Sequence, residues 1–238
     1  MKHSHAVLPA SNQNKVNHMN IRYPAVIFDL DGTLADTLKD LADATNWGLA
    51  KLGQPQHRLD NYRYLVGTGR TELCRKALPE NRQDLVEQLI VLMTDYYAKH
   101  CFDTTLPYPG IEDLLNNLSA QNIKLAVLSN KPQNFVELTL ERLFGRFRFS
   151  AVVGDCDDKP RKPDPTGALS IAKALKLPPQ QIAYVGDTST DMQTANRAKM
   201  FAIGVSWGFR ERQELIDHGA NVIVDTPDAL YRVLTGLQ

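Results

Sequence analysis

Phe28-Asp29-Leu30-Asp31-Gly32-Thr33 sets two carboxylates two residues apart, at the end of an apolar run and just before a glycine. Three further polar segments also follow apolar runs: Ser129-Asn130, Arg161-Lys162-Pro163-Asp164, and Gly186-Asp187-Thr188-Ser189-Thr190-Asp191. Together they offer carboxylates, a hydroxyl, an ammonium and several turn amides. That set suits phosphoryl transfer. A phosphate dianion repels an anionic nucleophile, so positive charge has to neutralise it. Magnesium does this and prefers carboxylate oxygens and water. In such a site Asp29 would bind the metal and attack phosphorus. Asp31 would protonate the leaving oxygen and then deprotonate the hydrolytic water. Gly32 would let the backbone approach the phosphate. Ser129, with the turn amides around Gly32-Thr33 and Asn130, would hold phosphoryl oxygens, Lys162 would add fixed charge, and Asp187 would complete the metal shell.

These segments can converge only if the fold brings them to one edge. Ala25-Val26-Ile27-Phe28 reads as a buried strand entering a turn. Asp36 and Thr37 read as caps of a helix carrying Leu38, Leu41, Ala42, Ala44, Thr45, Leu49 and Leu52 and closing at Gly53. Helical patterns continue around 70–78 and 83–99, with no strand pattern between Asp36 and Phe102. Beyond Pro107-Tyr108-Pro109-Gly110 the pattern changes. Helices over 111–121, 135–143, 165–175 and 190–198 alternate with strands over 123–128, 150–153, 181–185 and 200–205. A last helix–strand–helix set includes Val222–Val224. This alternation predicts an α/β fold with a parallel sheet and helices on both faces. A lone first strand cannot bury itself, so residues 21–35 join 107–238 in one domain, and 36–106 form an inserted all-helical unit. That insertion would stand over the carboxyl ends of the strands, where open α/β sheets place ligands.

The order of the four motifs resembles the haloacid dehalogenase superfamily: DLDGT with Asp29 and Asp31, LSN with Ser129, RKPDP with Lys162, and GDTSTD with Asp187 and Asp191. The resemblance covers the chain from about Tyr23 onward. It implies a Rossmann-like core with a helical cap, a magnesium ion held by Asp29, Asp187 and the Asp31 carbonyl, and Asp191 as a supporting acid. Within the superfamily, FDLDGTLADTLKDL, YPGIEDLL, VLSNKP, GDTSTDMQTANRAKM and GVSWGFRERQEL are most similar to phosphoglycolate phosphatases. The resemblance therefore implies magnesium-dependent hydrolysis of a small phosphate monoester through an aspartyl-phosphate, with 2-phosphoglycolate as the first candidate; a nucleotide, pyrophosphate or sugar phosphate as substrate, a phosphosugar mutase, and a non-catalytic binding protein on the same scaffold are the alternatives.

Other features stay open or speak against rival classes. Val66-Gly67-Thr68-Gly69-Arg70 would form either an anion-binding loop, with Arg70 on a substrate carboxylate or second phosphate, or a glycine turn followed by a surface arginine. Asp191 is either a helix-start acid or a residue that orients the metal site. Arg161 is read as a surface residue or a neighbour of the site, and Trp207 and Phe209 as core anchors. A formal net charge of zero over 238 residues, without a basic block, argues against nucleic acid as a partner. No apolar run reaches the ~20 residues of a membrane span. Cys74, Cys101 and Cys156 show no paired or zinc spacing and are read as reduced thiols of a cytoplasmic protein. Residues 1–20, with His3, His5 and His18, are read as a flexible tail or expression remnant. A monomer or homodimer acting on a small phosphorylated metabolite is expected.

Overall fold

A computed structural model describes residues 22–156 and 159–237; the expected N-terminal tail lies outside the described residues. Strand β1 (Ala25–Phe28) is fully buried along its length, because it pairs in parallel on both sides. Its neighbours are β4 (Lys124–Pro132) and β6 (Ile182–Gly186). With β5 (Phe149–Asp155), β7 (Phe201–Val205) and β8 (Val222–Val224), they form a sheet of order β5-β4-β1-β6-β7-β8 with every neighbouring pair parallel. Near-continuous apolar strands are what a sheet covered on both faces requires.

One face packs against α5 (Ile111–Ala120), α6 (Gln133–Phe144) and α10 (Pro227–Thr235), through Leu115, Phe144, Leu230 and Leu234. The other packs against α7 (Thr166–Leu175), α8 (Ser189–Arg197) and α9 (Arg212–Asp217), through Ile171, Met192 and Leu215. The alternation expected from the sequence is therefore the observed one.

Between β1 and β4 stand the helices α1 (Leu38–Lys51), α2 (Leu59–Leu65), α3 (Arg70–Ala77) and α4 (Val86–His100). They bury an apolar cluster of their own around Leu49, Tyr62, Leu73 and Leu89. Gly48 belongs to the α1–α4 contact: a Cβ there would lie 2.7 Å from Leu89 Cδ1. Two features were not expected from the sequence. Helix α2 is short and mostly exposed, so it has little apolar periodicity to read. A two-residue antiparallel ladder of β2 (Ala35–Asp36) and β3 (Leu106–Pro107) closes the stem of the cap. Asp40 reinforces that stem, accepting the amides of Thr104 and Thr105 at 3.0 and 2.9 Å and their hydroxyls at 2.6 and 2.7 Å. Among the described residues no helix is long and apolar enough to cross a membrane.

Candidate active site

The strand ends do converge. The Asp29 amide continues the β1–β6 ladder, donating to the Val185 carbonyl at 2.9 Å, so the backbone that carries the carboxylate is held by the sheet. Asp187 directly follows β6. Asp191 lies in the first turn of α8, where it and Thr188 cap one another: its Oδ2 accepts the Thr188 amide at 3.1 Å and hydroxyl at 2.7 Å. Lys162 Nζ sits between two carboxylates, 2.7 Å from Asp191 Oδ1 and 2.9 Å from Asp29 Oδ1. The approach to Asp29 is misaligned, so Asp29 Oδ1 is buried without a directed hydrogen bond.

The electrostatics follow from this crowding. Burial pushes the Asp29 carboxyl up to about 7, Lys162 pulls against that, and the Asp191 charge adds to the rise. Burial also raises Asp187 well above the carboxylate range, with Asp191 and then Asp29 adding to it. For Lys162, burial disfavours the ammonium, but Asp191 and Asp29 outweigh it and hold the group charged. Oxygens of Asp29, Asp187 and Asp191 lie within 4.8 Å of one another, and one lysine cannot neutralise them all.

A hard dication fits this donor set. Asp29 would contribute the oxygen that lacks a directed partner. Asp187 is aimed from the next strand, its Oδ1 held by the Thr33 hydroxyl at 3.1 Å and its Oδ2 by the Phe209 amide at 2.7 Å. Asp191 is less suited to direct ligation: its Oδ1 pairs with the Lys162 ammonium and its Oδ2 takes both Thr188 donors, whereas each Asp187 oxygen accepts a single neutral donor.

Asp31 leaves this cluster and turns toward the cap. Its Oδ1 accepts the Thr37 hydroxyl at 2.8 Å and Lys131 Nζ at 2.9 Å. Thr37 therefore does not cap α1 with its side chain, as the sequence suggested; Asp36 Oδ1 takes the Leu38 amide, at 3.2 Å. Lys131 also donates to the Tyr97 hydroxyl, at 2.8 Å, which reaches down from α4. Burial opposes the charge on Lys131, but Asp31 and Tyr97 push the ammonium's pKa above its ordinary range.

Asp29, Asp31, Ser129, Asn130, Lys131 and Arg70 line one cavity, whose cap side is apolar through Leu41, Val66, Leu73 and Met93, with Phe135 of α6 beside them. Its volume is about 50 Å³. Arg70 opens α3 and donates to Thr94 Oγ1 at 3.1 Å within that wall. Ser129 lies where the β4–β5 ladder breaks, between the pairings Leu128↔Val153 and Pro132↔Asp155. Its hydroxyl accepts the Lys131 amide at 3.3 Å.

Three residues assigned to the phosphate from the sequence have structural partners instead of open polar groups. Thr33 is fully buried behind Asp187. Asn130 accepts the Lys162 amide at 2.9 Å and donates to the carbonyls of Lys162 and Gly67, both at 3.1 Å, clipping the lysine loop and the cap loop to β4. Gly32 has φ +85°, and a Cβ there would lie 2.3 Å from Asp187 Oδ2. Its lack of a side chain makes room for a carboxylate.

Lys131 and Tyr97 were missed from sequence. Lys131 stood inside the quoted VLSNKP stretch, one residue beyond the recognised Ser129-Asn130 pair; Tyr97 carries no local signal. Arg161, with Nε 2.7 Å from Asp155 Oδ1, packs beside Gly69 at the cap–core seam. Among the described residues no cysteine lines the cavity. Cys74 is buried, and burial pushes its thiol up to about 12.

The sequence profile of haloacid dehalogenase-like hydrolases matches residues 26–205. A phosphoglycolate phosphatase of Pseudomonas putida is 34% identical over 212 residues, covering 86% of this chain and 77% of its own. One from Chromobacterium violaceum is 32% identical over 222 residues, covering 91% and 99%. A crystal structure from Lactobacillus delbrueckii subsp. bulgaricus, proposed to be a phosphoglycolate phosphatase, superposes with a TM-score of 0.84 at 34% identity, covering 90% of this chain and 98% of that one. With its motif residues gathered on one sheet edge under a helical cap, the chain belongs to the haloacid dehalogenase-like hydrolase family and is an enzyme of its phosphatase branch.

Proposed function

We propose that this enzyme hydrolyses a small phosphate monoester with the help of magnesium, and that 2-phosphoglycolate is its substrate. The observation that carries the reading is Asp29, whose Oδ1 is buried without a directed hydrogen bond and which lines the same cavity as Asp31. Asp29 attacks phosphorus along the line opposite the leaving oxygen, and the P–O(ester) bond breaks as the Asp29–phosphorus bond forms. Asp31 passes its proton to the departing alkoxide. It then takes a proton from the water that attacks the aspartyl-phosphate, which frees phosphate and restores Asp29. Lys162 and the Ser129 hydroxyl offset the phosphoryl charge in surroundings that exclude most water. Asp29 and Asp187, with the Asp31 carbonyl, would hold magnesium, which when bound would supply the remaining neutralisation of phosphoryl charge.

Two features favour a two-carbon acid as leaving group. Arg70 places a guanidinium in the cavity wall, suited to a carboxylate, and the rest of the cap side is mostly apolar and offers no polar set for a base or sugar. The P. putida and C. violaceum relatives carry the same activity in their names. The test is a panel of phosphometabolites assayed with magnesium, alongside Asp29→Asn. Phosphoglycolate should lead the panel and Asp29→Asn should lose turnover by at least about a thousandfold. Wild-type turnover in Asp29→Asn would sink the nucleophile assignment. A nucleotide or sugar phosphate leading the panel would sink the substrate.

A further inference from the structure

Trp207 and Phe209, expected to be core anchors, do more than fill space. They lie in the loop between β7 and α9, and that loop holds one oxygen of Asp187 directly and braces Thr33, which holds the other. The Phe209 amide donates to Oδ2 at 2.7 Å. Trp207 Nε1 donates to the Thr33 carbonyl at 3.1 Å, and the Thr33 hydroxyl donates to Asp187 Oδ1 at 3.1 Å. Gly208 shows how closely the loop is applied: a Cβ there would lie 2.3 Å from Asp187 Cβ and 2.5 Å from the Gly32 carbonyl oxygen.

The same loop is also gripped by the cap. The Phe209 ring is buried in the cap cluster with Leu41, Val66 and Leu73, not in either layer beside the sheet. Arg210 Nη2 donates to the Val66 carbonyl at 2.9 Å, and its guanidinium lies 5.4 Å from the Tyr64 ring centroid. Arg210 Nε lies 3.3 Å from Glu214, whose other oxygen accepts the Ser189 amide, two residues after Asp187, at 3.1 Å. One residue, Phe209, thus carries a side chain seated in the cap and an amide seated on a carboxylate of the metal site.

We propose that Trp207–Arg210 is a latch that couples docking of the helical cap to metal affinity, with Phe209 and Arg210 as positioning residues for Asp187. The inference rests on the reading of Asp187 as a metal ligand. With the cap docked, the ring is fixed and the amide stays aimed at Oδ2. With the cap lifted, the ring loses its apolar partners and Asp187 loses the donor that orients it. Coupling of this kind is reciprocal: bound metal must tighten the cap by the factor by which the docked cap tightens the metal.

The test is magnesium affinity of the full-length protein, measured by titration calorimetry without substrate. Arg210→Gln should weaken binding by on the order of tenfold and Phe209→Ala by more, within the ~5–150-fold span of typical couplings. Tyr64→Ala, a change to an exposed ring on the cap side alone, should weaken it in the same direction. Saturating magnesium should restore most of the turnover of Arg210→Gln. In the wild type, magnesium should slow amide exchange across residues 66–70, and Arg210→Gln should lose that protection. A purely structural role would lower the melting temperature and leave the affinity of the folded protein unchanged. Wild-type affinity in folded Arg210→Gln and Tyr64→Ala would overturn the latch even if Phe209→Ala failed to fold. Asp187→Asn separates the two claims: if it binds magnesium as the wild type does, the ligand assignment fails and the latch fails with it.

Discussion

Replacing Lys131 with methionine keeps the length and volume of the side chain and removes the charge. The ammonium is 6% exposed as part of its residue, and it contacts both Asp31 oxygens, at 2.9 and 3.3 Å, and the Tyr97 hydroxyl. Without it Asp31 keeps only the Thr37 hydroxyl. Breaking a sealed buried ion pair costs ~3–5 kcal/mol. The Asp31 side chain is 12% exposed and faces the cavity, so water can replace part of what is lost. The expected cost is therefore lower, about 2 kcal/mol, or a fall of about 4–8 °C in melting temperature for a chain of this size. The effect on catalysis should be larger. A general acid that is no longer aimed forfeits part of a ~10²–10⁴-fold contribution. The diagnostic is its dependence on the leaving group. An alkyl phosphate needs the proton from Asp31, whereas p-nitrophenyl phosphate releases a stable phenolate without it. For Lys131→Met, kcat/KM should fall on the order of a hundredfold for phosphoglycolate and at least about tenfold less for the aryl ester. Equal losses for both esters would refute the role of Lys131 in aiming the acid, whatever the stability change. Tyr97→Phe removes only the hydroxyl and should give the same pattern at under about tenfold.

The remaining expectations concern the carboxylate cluster and the cap stem. Gly32→Ala must displace Asp187 by about 1 Å to relieve a 2.3 Å contact, and it adds left-handed strain; magnesium affinity should fall by more than about tenfold, and unchanged affinity would show that the carboxylate has room to move. The folded Asp29 carboxyl, at about 7, lies above its ordinary 3.8, so the folded state holds a proton that the unfolded chain has released, and the metal-free protein should lose stability as pH rises from about 4 through about 7. Magnesium displaces that proton, so the rise in melting temperature on adding magnesium should grow over the same window; a constant gap between chelated and magnesium-loaded samples would contradict the assignment. Asp40→Ala leaves the amides and hydroxyls of Thr104 and Thr105 without their shared acceptor and should cost about 3 kcal/mol by chemical denaturation, while a loss under about 0.5 kcal/mol would mean the stem does not depend on it.

What could be read from the sequence, and what could not, divides along a physical line. Asp29 and Asp187 were legible because each directly follows an apolar strand, and the parallel sheet itself brings such strand ends together; Lys162, on the loop seven residues beyond the end of β5, was legible through the resemblance of its motif. The parallel architecture was legible for the same reason: β1, β4, β6 and β7 are apolar enough to declare their burial. The partners of these residues were not legible. Thr33 and Asn130 carry the residue types of phosphate ligands, but each finds a protein partner within reach in the folded chain. For Thr33 that partner is 154 positions away in sequence, and for Asn130 the Lys162 backbone is 32 away. No local pattern encodes such a pairing.

The same division bears on substrate choice. The reaction belongs to strand ends held rigidly by hydrogen-bonded neighbours. On the proposed reading, selection of the leaving group belongs to the opposite wall, where Arg70 on α3 lines the cavity and Tyr97 on α4 accepts from Lys131 on β4. Of these, Arg70 drew notice because glycines precede it, and Lys131 escaped because a lysine after a strand looks like an ordinary surface residue until its burial is known. A cavity of about 50 Å³ leaves little tolerance in that wall. A cap shift of one ångström would alter the space by an appreciable fraction and would move Tyr97 off Lys131 together with the grip of Val66 on Arg210. Closure, acid alignment and metal affinity are thereby tied to one rigid-body position of the cap. Substitutions on the cap face should accordingly change substrate choice and metal requirement together, and the two would separate only if the latch and the cavity wall could move independently.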